Sequence, residues 1–154
     1  MNLASILHQT ACGAIAASGF GVLFNIGFRA LPWCAASGAL ALAVRASCTD
    51  LGMSLEGASF VAALFVGAAV HFLMRRTGIS QDLLDVTGCI AMIPGSFAAK
   101  AIIGLFVLTT RPGANQSDTL VTATQYSLRV LFTMGAIGTG LVIPALLSRV
   151  RTPR

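Results

Sequence analysis

Lys100 follows Ser96 by four residues, and Ser96 follows Pro94-Gly95 directly, so a cation, a hydroxyl and a helix-breaking pair stand close together in the chain. Proline removes a backbone donor and glycine loosens the chain around it. The pair interrupts residues 83–108, which read LLDVTGCIAMI, then PGS, then FAAKAIIGLFVL, a hydrophobic run long enough to cross a bilayer. In hydrocarbon the freed backbone groups must find partners in protein or in a water-lined cavity, and broken helices at membrane depth mark transport sites. A helix restarting near Ser96 would present unpaired N–H groups and a partial positive charge, which together hold an anion. Lys100 would lie one turn further on, about 6 Å past the break, leaning back toward it as helical side chains do. A charge that deep is costly and suggests a function. The chemistry is capture of a carboxylate. A plain proline kink with a lysine snorkelling to the interface is the other reading these residue types allow.

Asn25 and Arg29 form a second candidate pair. Four residues apart on one helix, they would share a face and could hold an anion at the membrane edge. Arg29 followed by Trp33 also fits an interfacial anchor. The five acids, Asp50, Glu56, Asp82, Asp85 and Asp118, fall in loops or at helix ends. Asp82 and Asp85 suit the first turn of a helix capped by Ser80, with Gly78 ending the helix before it. His8 reads as an interfacial residue. No paired carboxylate at a plausible site, Ser-His-Asp set or metal-ligand cluster is visible, so neither an enzyme nor a cofactor is expected. The cysteines Cys12, Cys34, Cys48 and Cys89 show no CxxC spacing, sit mostly in apolar runs and read as small packing residues.

The elements that position these residues follow from composition. With 56% hydrophobic and 10% charged residues in 154, and a mean hydropathy of +0.85, the chain has too little polar surface to cover a soluble globule. An all-α integral membrane protein results, forming a single transmembrane domain over residues 1–154. The net charge of +5 comes from basic residues scattered at the ends of apolar segments rather than from a patch, so no nucleic-acid partner is expected. About five spans are predicted, over residues 3–28, 31–48, 57–74, 83–108 and 122–148, the fourth broken at Pro94-Gly95. The second is only about 27 Å long as a helix and either spans with some thinning or stays a half-helix.

In the first span, Gly13, Ala17 and Gly21 recur every four residues, the small-xxx-small spacing that lets membrane helices approach closely. No Lys or Arg precedes Arg29, so the start lacks the charged region of a secretory signal and the first span is expected to stay. Residues 109–118, TTRPGANQSD, read as a turn-rich loop, and the last helix is expected to begin between Thr119 and Tyr126. It passes Gly135, Gly138, Gly140 and Pro144, with Arg129 near its outer end. With five spans, Arg29, Arg75, Arg76, Arg149, Arg151 and Arg154 share one side against Arg45 and Arg111 on the other. That bias puts the amino terminus outside and the carboxyl terminus in the cytoplasm.

Three motifs carry a family resemblance. Phe24-Asn25 with Arg29-Ala30-Leu31 and Trp33-Cys34, then Met92-Ile93-Pro94-Gly95-Ser96, then residues 138–144 stand in this order. Over residues 19–144 the chain resembles the small inner-membrane subunit of the threonine/serine exporter family. The resemblance implies a multi-pass protein of the bacterial inner membrane that works with a larger membrane subunit. It also implies a small anionic or zwitterionic substrate, since the two-part relatives are associated with succinate export and fused members export threonine and serine. Where the family often shows a second proline, this chain has Ala91, which predicts a milder break. Two other classes stay open: a non-transporting accessory or scaffold subunit, and a stand-alone small multidrug-type transporter, which would need a carboxylate deep in a span.

Overall fold

The computed structural model describes residues 3–77, 81–110 and 116–151, with side chains described for 3–72, 84–110 and 116–147. Among the described residues six helices follow one another: α1 (Leu3–Leu23), α2 (Leu31–Asp50), α3 (Leu55–Thr77), α4 (Gln81–Ile90), α5 (Gly95–Thr110) and α6 (Gln116–Arg151). No strand occurs among the described residues. Among the described residues four helices are long and apolar enough to cross a membrane, namely α1, α2, α3 over Leu55–Phe72 and α6 over Gln116–Leu147. The broken pair of α4 and α5 makes a fifth if it counts as one span. The protein is therefore a multi-pass helical membrane protein.

Two compact units make up the chain, Met1–Met92 with Ala136–Arg154, and Ile93–Gly135. In the first, α2 touches α1, α3 and α4, and small residues set how closely. Gly13, Ala17 and Gly21 are the buried residues of α1. A Cβ on Gly38 of α2 would run into Ala17 Cβ and the carbonyl oxygen of Gly13. A Cβ on Gly88 of α4 would come within 2.9 Å of Ser37 Oγ on α2, and the Ser37 hydroxyl lies 2.9 Å from the Cys34 carbonyl oxygen and 3.4 Å from that of Leu84. Of the glycines within α6, Gly140 packs on Ala63 and the Phe60 carbonyl of α3, while a Cβ added at Gly135 or Gly138 would meet nothing within 4 Å. Close backbone approach is how membrane helices gain contact, because lipid is as apolar as their side chains. Cys34 and Cys89 are buried in this core, whereas Cys12 is exposed.

The first helix stops at Leu23, before the expected end at residue 28, and the cause is Asn25. Its φ is 54°, a left-handed conformation that Asn tolerates better than most residues. The Ile26 N–H donates to the Gly21 carbonyl and the Asn25 N–H to that of Val22, each at 2.9 Å. These are the paired bonds of a Schellman stop. The same device ends α2 two residues later than expected: Gly52 has φ 86°, its N–H donates to Thr49 and that of Met53 to Cys48. Ser54 then caps α3, accepting from the Gly57 N–H at 3.2 Å, so α3 starts at Leu55 rather than residue 57.

Two further expectations are corrected. α6 begins at Gln116, ahead of Thr119, because Asp118 in its first turn suits the positive helix end and a helix leaving the membrane need not be apolar there. Residues 91–94, Ala91 among them, lie outside any helix. Asp85 is half-buried and stands beyond the first turn of α4 rather than within it. Gly78, Ser80, residues 111–115 and the side chains of Arg75, Arg76, Asp82, Arg149, Arg151 and Arg154 lie outside the described residues.

Candidate functional site

An unbroken helix would join the Ser96 N–H to the Met92 carbonyl, four residues back. The break separates them. The Gly95 N–H turns to the Ile93 carbonyl at 2.8 Å, and the Phe97 and Ala98 N–H groups share the Pro94 carbonyl at 3.1 Å. Most donors at the start of α5 are thus satisfied locally, which corrects the expectation of unpaired N–H groups there, while the helix restarts at Gly95, beside Ser96 as expected. The Ser96 N–H keeps no protein partner among the described residues, and Ser96 is exposed while Pro94 is buried.

The other half of the broken bond is taken by a side chain from α2. Arg45 Nη1 donates to the Met92 carbonyl oxygen at 2.7 Å. Arg45 lies inside α2, five residues before its end at Asp50, or about 7.5 Å along the axis, and is half-buried. A cation beside the freed carbonyls that follow α4 also meets the negative end of that helix. A charge at the centre of a membrane helix costs roughly 2.5–3.5 kcal/mol, and one charge-assisted bond contributes about 1.5–3 kcal/mol, so this contact goes far toward offsetting the burial. The signal was present in the sequence as a lone charge well inside an apolar run. Its target was not, because nothing in spacing says which carbonyl a flexible side chain reaches.

Lys100 belongs to the second unit, where it stands in a ladder of charged and aromatic side chains linking α5 and α6. The rings of Phe97 and Tyr126 stack with centroids 5.7 Å apart. Lys100 Nζ lies 5.5 Å from the Tyr126 centroid, and Arg129 Cζ lies 5.2 Å from that of Phe97. Cations over aromatic faces gain about 0.5–1 kcal/mol when exposed and about 2 or more when desolvated. Gly104 brings the two helices together, as a Cβ there would come within 2.9 Å of Ala123 Cβ. Beside this approach lies a cavity of about 330 Å³ lined by Lys100, Gly104, Asp118, Thr119, Thr122 and Ala123. A cation, a carboxylate and two hydroxyls around one space can hold a small solute with groups of both signs.

Asn25 and Arg29 belong to the first unit, in the link between α1 and α2. They do not share a helix face, because the helix has ended and Asn25 has turned left-handed. Arg29 is exposed. Pro94, Gly95, Ser96 and Lys100 all fall in the second unit. No group of three His, Cys, Asp or Glu side chains that could hold a metal occurs among the described residues. Spacing missed Arg45, and it missed Phe97 and Tyr126, whose pairing joins two segments that sequence order separates.

Compared with known proteins, residues 9–147 match the family model described as Threonine/Serine exporter, ThrE. No solved structure matches the chain.

Proposed function

Because the chain belongs to the threonine/serine exporter family, we propose that it is a membrane subunit of a secondary transporter exporting a small carboxylate or amino acid with a larger membrane partner. The substrate is a succinate-like dicarboxylate, or threonine and serine, and the setting is a bacterial inner membrane. The family match across residues 9–147 carries this reading.

The broken pair α4 and α5 supports it, since half-helices that end inside a membrane present charged backbone termini to a substrate. The second unit adds the Lys100 cavity, with Asp118, Thr119 and Thr122 in its wall. In this reading Pro94, Gly95, Ser96 and Lys100 bind the substrate carboxylate. Arg29 supplies a recruiting charge at the membrane edge, and Asn25, which ends α1, holds the turn that presents it. The amino terminus is outside and the carboxyl terminus cytoplasmic. The bias of Arg29, Arg75, Arg76, Arg149, Arg151 and Arg154 against Arg45 and Arg111 supports that orientation.

The test is reconstitution of the chain with its larger partner, comparing succinate and threonine efflux under an imposed proton gradient. Efflux that needs both chains and changes with Lys100→Met supports the proposal. Efflux by the partner alone at the full rate would make this chain an accessory subunit, and full activity from this chain alone would remove the two-part reading.

A further inference from the structure

We propose that Arg45 binds a substrate carboxylate beside the Met92 carbonyl, whose bond to the guanidinium group holds it ready. The proposal rests on the exporter reading above and adds to it a residue that the broken segment itself does not contain.

The guanidinium group is a planar fork with five N–H donors, and the Met92 carbonyl engages Nη1. Among the described residues no carboxylate pairs with it, and the Met92 bond is the contact that fixes its direction. Met92 is fully buried, so the fork is held against the protein interior rather than extended to the surface. Capping a lone carbonyl asks for one donor, which a serine or asparagine supplies without carrying a charge into an apolar helix. A charged fork with donors left over is what recognises a carboxylate, through two parallel bonds that a lysine cannot copy. The substrate carboxylate then supplies a counter-charge beside the Met92 carbonyl. Anchoring by Met92 matters because a side chain fixed before binding loses less freedom when the ligand arrives.

The experiment uses the assembled pair of chains in proteoliposomes, with succinate and threonine as probes. Arg45→Lys keeps the charge and a donor for the Met92 carbonyl but removes the fork. It is expected to raise the apparent KM about tenfold or more, with the maximal rate within about twofold of the unmodified pair. An unchanged KM would show that Arg45 is a cap only and would overturn the inference while leaving the exporter reading in place. A second measurement does not depend on a variant folding. Phenylglyoxal modification of Arg45 in the unmodified pair, followed by peptide mass, should slow in saturating substrate. Equal modification with and without substrate would overturn the inference. If the unmodified pair moves no carboxylate-bearing solute, the exporter reading falls, and this proposal falls with it.

Discussion

Gly13 of α1 and Gly38 of α2 meet so closely that a Cβ added to either one would strike the carbonyl oxygen of the other. Helix α1 can rest on α2 at this distance only while both positions lack a side chain. Gly38→Ala should therefore destabilise the folded protein by about 1–3 kcal/mol, the usual cost of overpacking, and lower its melting temperature in detergent. Gly19→Ala is the control. An added Cβ there meets nothing within 4 Å, and alanine favours a helix over glycine, so the melting temperature should hold or rise slightly. Equal loss from both would mean that the two helices do not pack through these glycines.

Asn25 offers a test that separates conformation from chemistry. With φ at 54°, Asn25→Gly keeps the stop at the end of α1, whereas Asn25→Val forces a β-branched residue into a left-handed conformation at a cost of roughly 1–2 kcal/mol. Thermal melts should rank glycine near the unmodified protein and valine well below it. Efflux kinetics ask the other question: Arg29→Gln should weaken substrate capture, while Asn25→Gly should leave it unchanged. A large loss of apparent affinity in Asn25→Gly would give the amide a direct role in binding.

Much of the architecture could be read from residue order, for reasons that differ by element. Apolar runs and the Pro94-Gly95 pair predict the spans and the break, because hydrocarbon leaves a backbone few options. The spacing of Gly13, Ala17 and Gly21 predicts the buried face of α1, because small-residue contact is local to one helix. Helix limits were harder. Asn25 is a legitimate stop residue, but only its left-handed φ makes it one, and the polar start of α6 looks like a loop until it is seen as a helix outside the apolar region. The site was the least legible part. The Arg45 bond to Met92 and the Phe97 stack on Tyr126 join residues far apart in sequence, and each depends on where a long or planar side chain turns, which periodicity does not encode.

Sidedness follows from the proposed orientation and can be checked at two exposed positions. Leu51 lies after α2 and Phe28 after α1, with 75% and 89% of their surfaces exposed. In a cysteine-free background, Leu51→Cys should react with an impermeant maleimide added to intact cells, and Phe28→Cys only after permeabilisation. Leu51 is preferred to Gly52, where φ 86° would strain any side chain. Reaction of both from one side would mean that α2 does not cross. The reversed pattern would keep five spans and invert the orientation.

The ladder of Lys100, Tyr126, Phe97 and Arg129 makes the sharpest demand on the proposed site, because Lys100 has both a structural and a functional role open to it. If its ammonium only rests on the Tyr126 ring, then Lys100→Met should cost about 0.5–1 kcal/mol of stability and leave transport kinetics alone. In the proposed site the ammonium also borders the cavity with Asp118, Thr119 and Thr122. Losing its charge-assisted bond to substrate should then weaken apparent affinity about ten- to a hundredfold, the equivalent of roughly 1.5–3 kcal/mol. Ser96→Ala, with its hydroxyl at the exposed start of α5, should weaken affinity in the same direction. Tyr126 separates the two roles. Tyr126→Phe keeps the aromatic face and should change neither stability nor KM much, while Tyr126→Leu removes the support under Lys100 and the partner of Phe97. That variant should lower the melting temperature and raise KM less than Lys100→Met does. If Lys100→Met exports at the unmodified KM while Tyr126→Leu lowers stability, Lys100 is a packing residue and the carboxylate must be bound elsewhere.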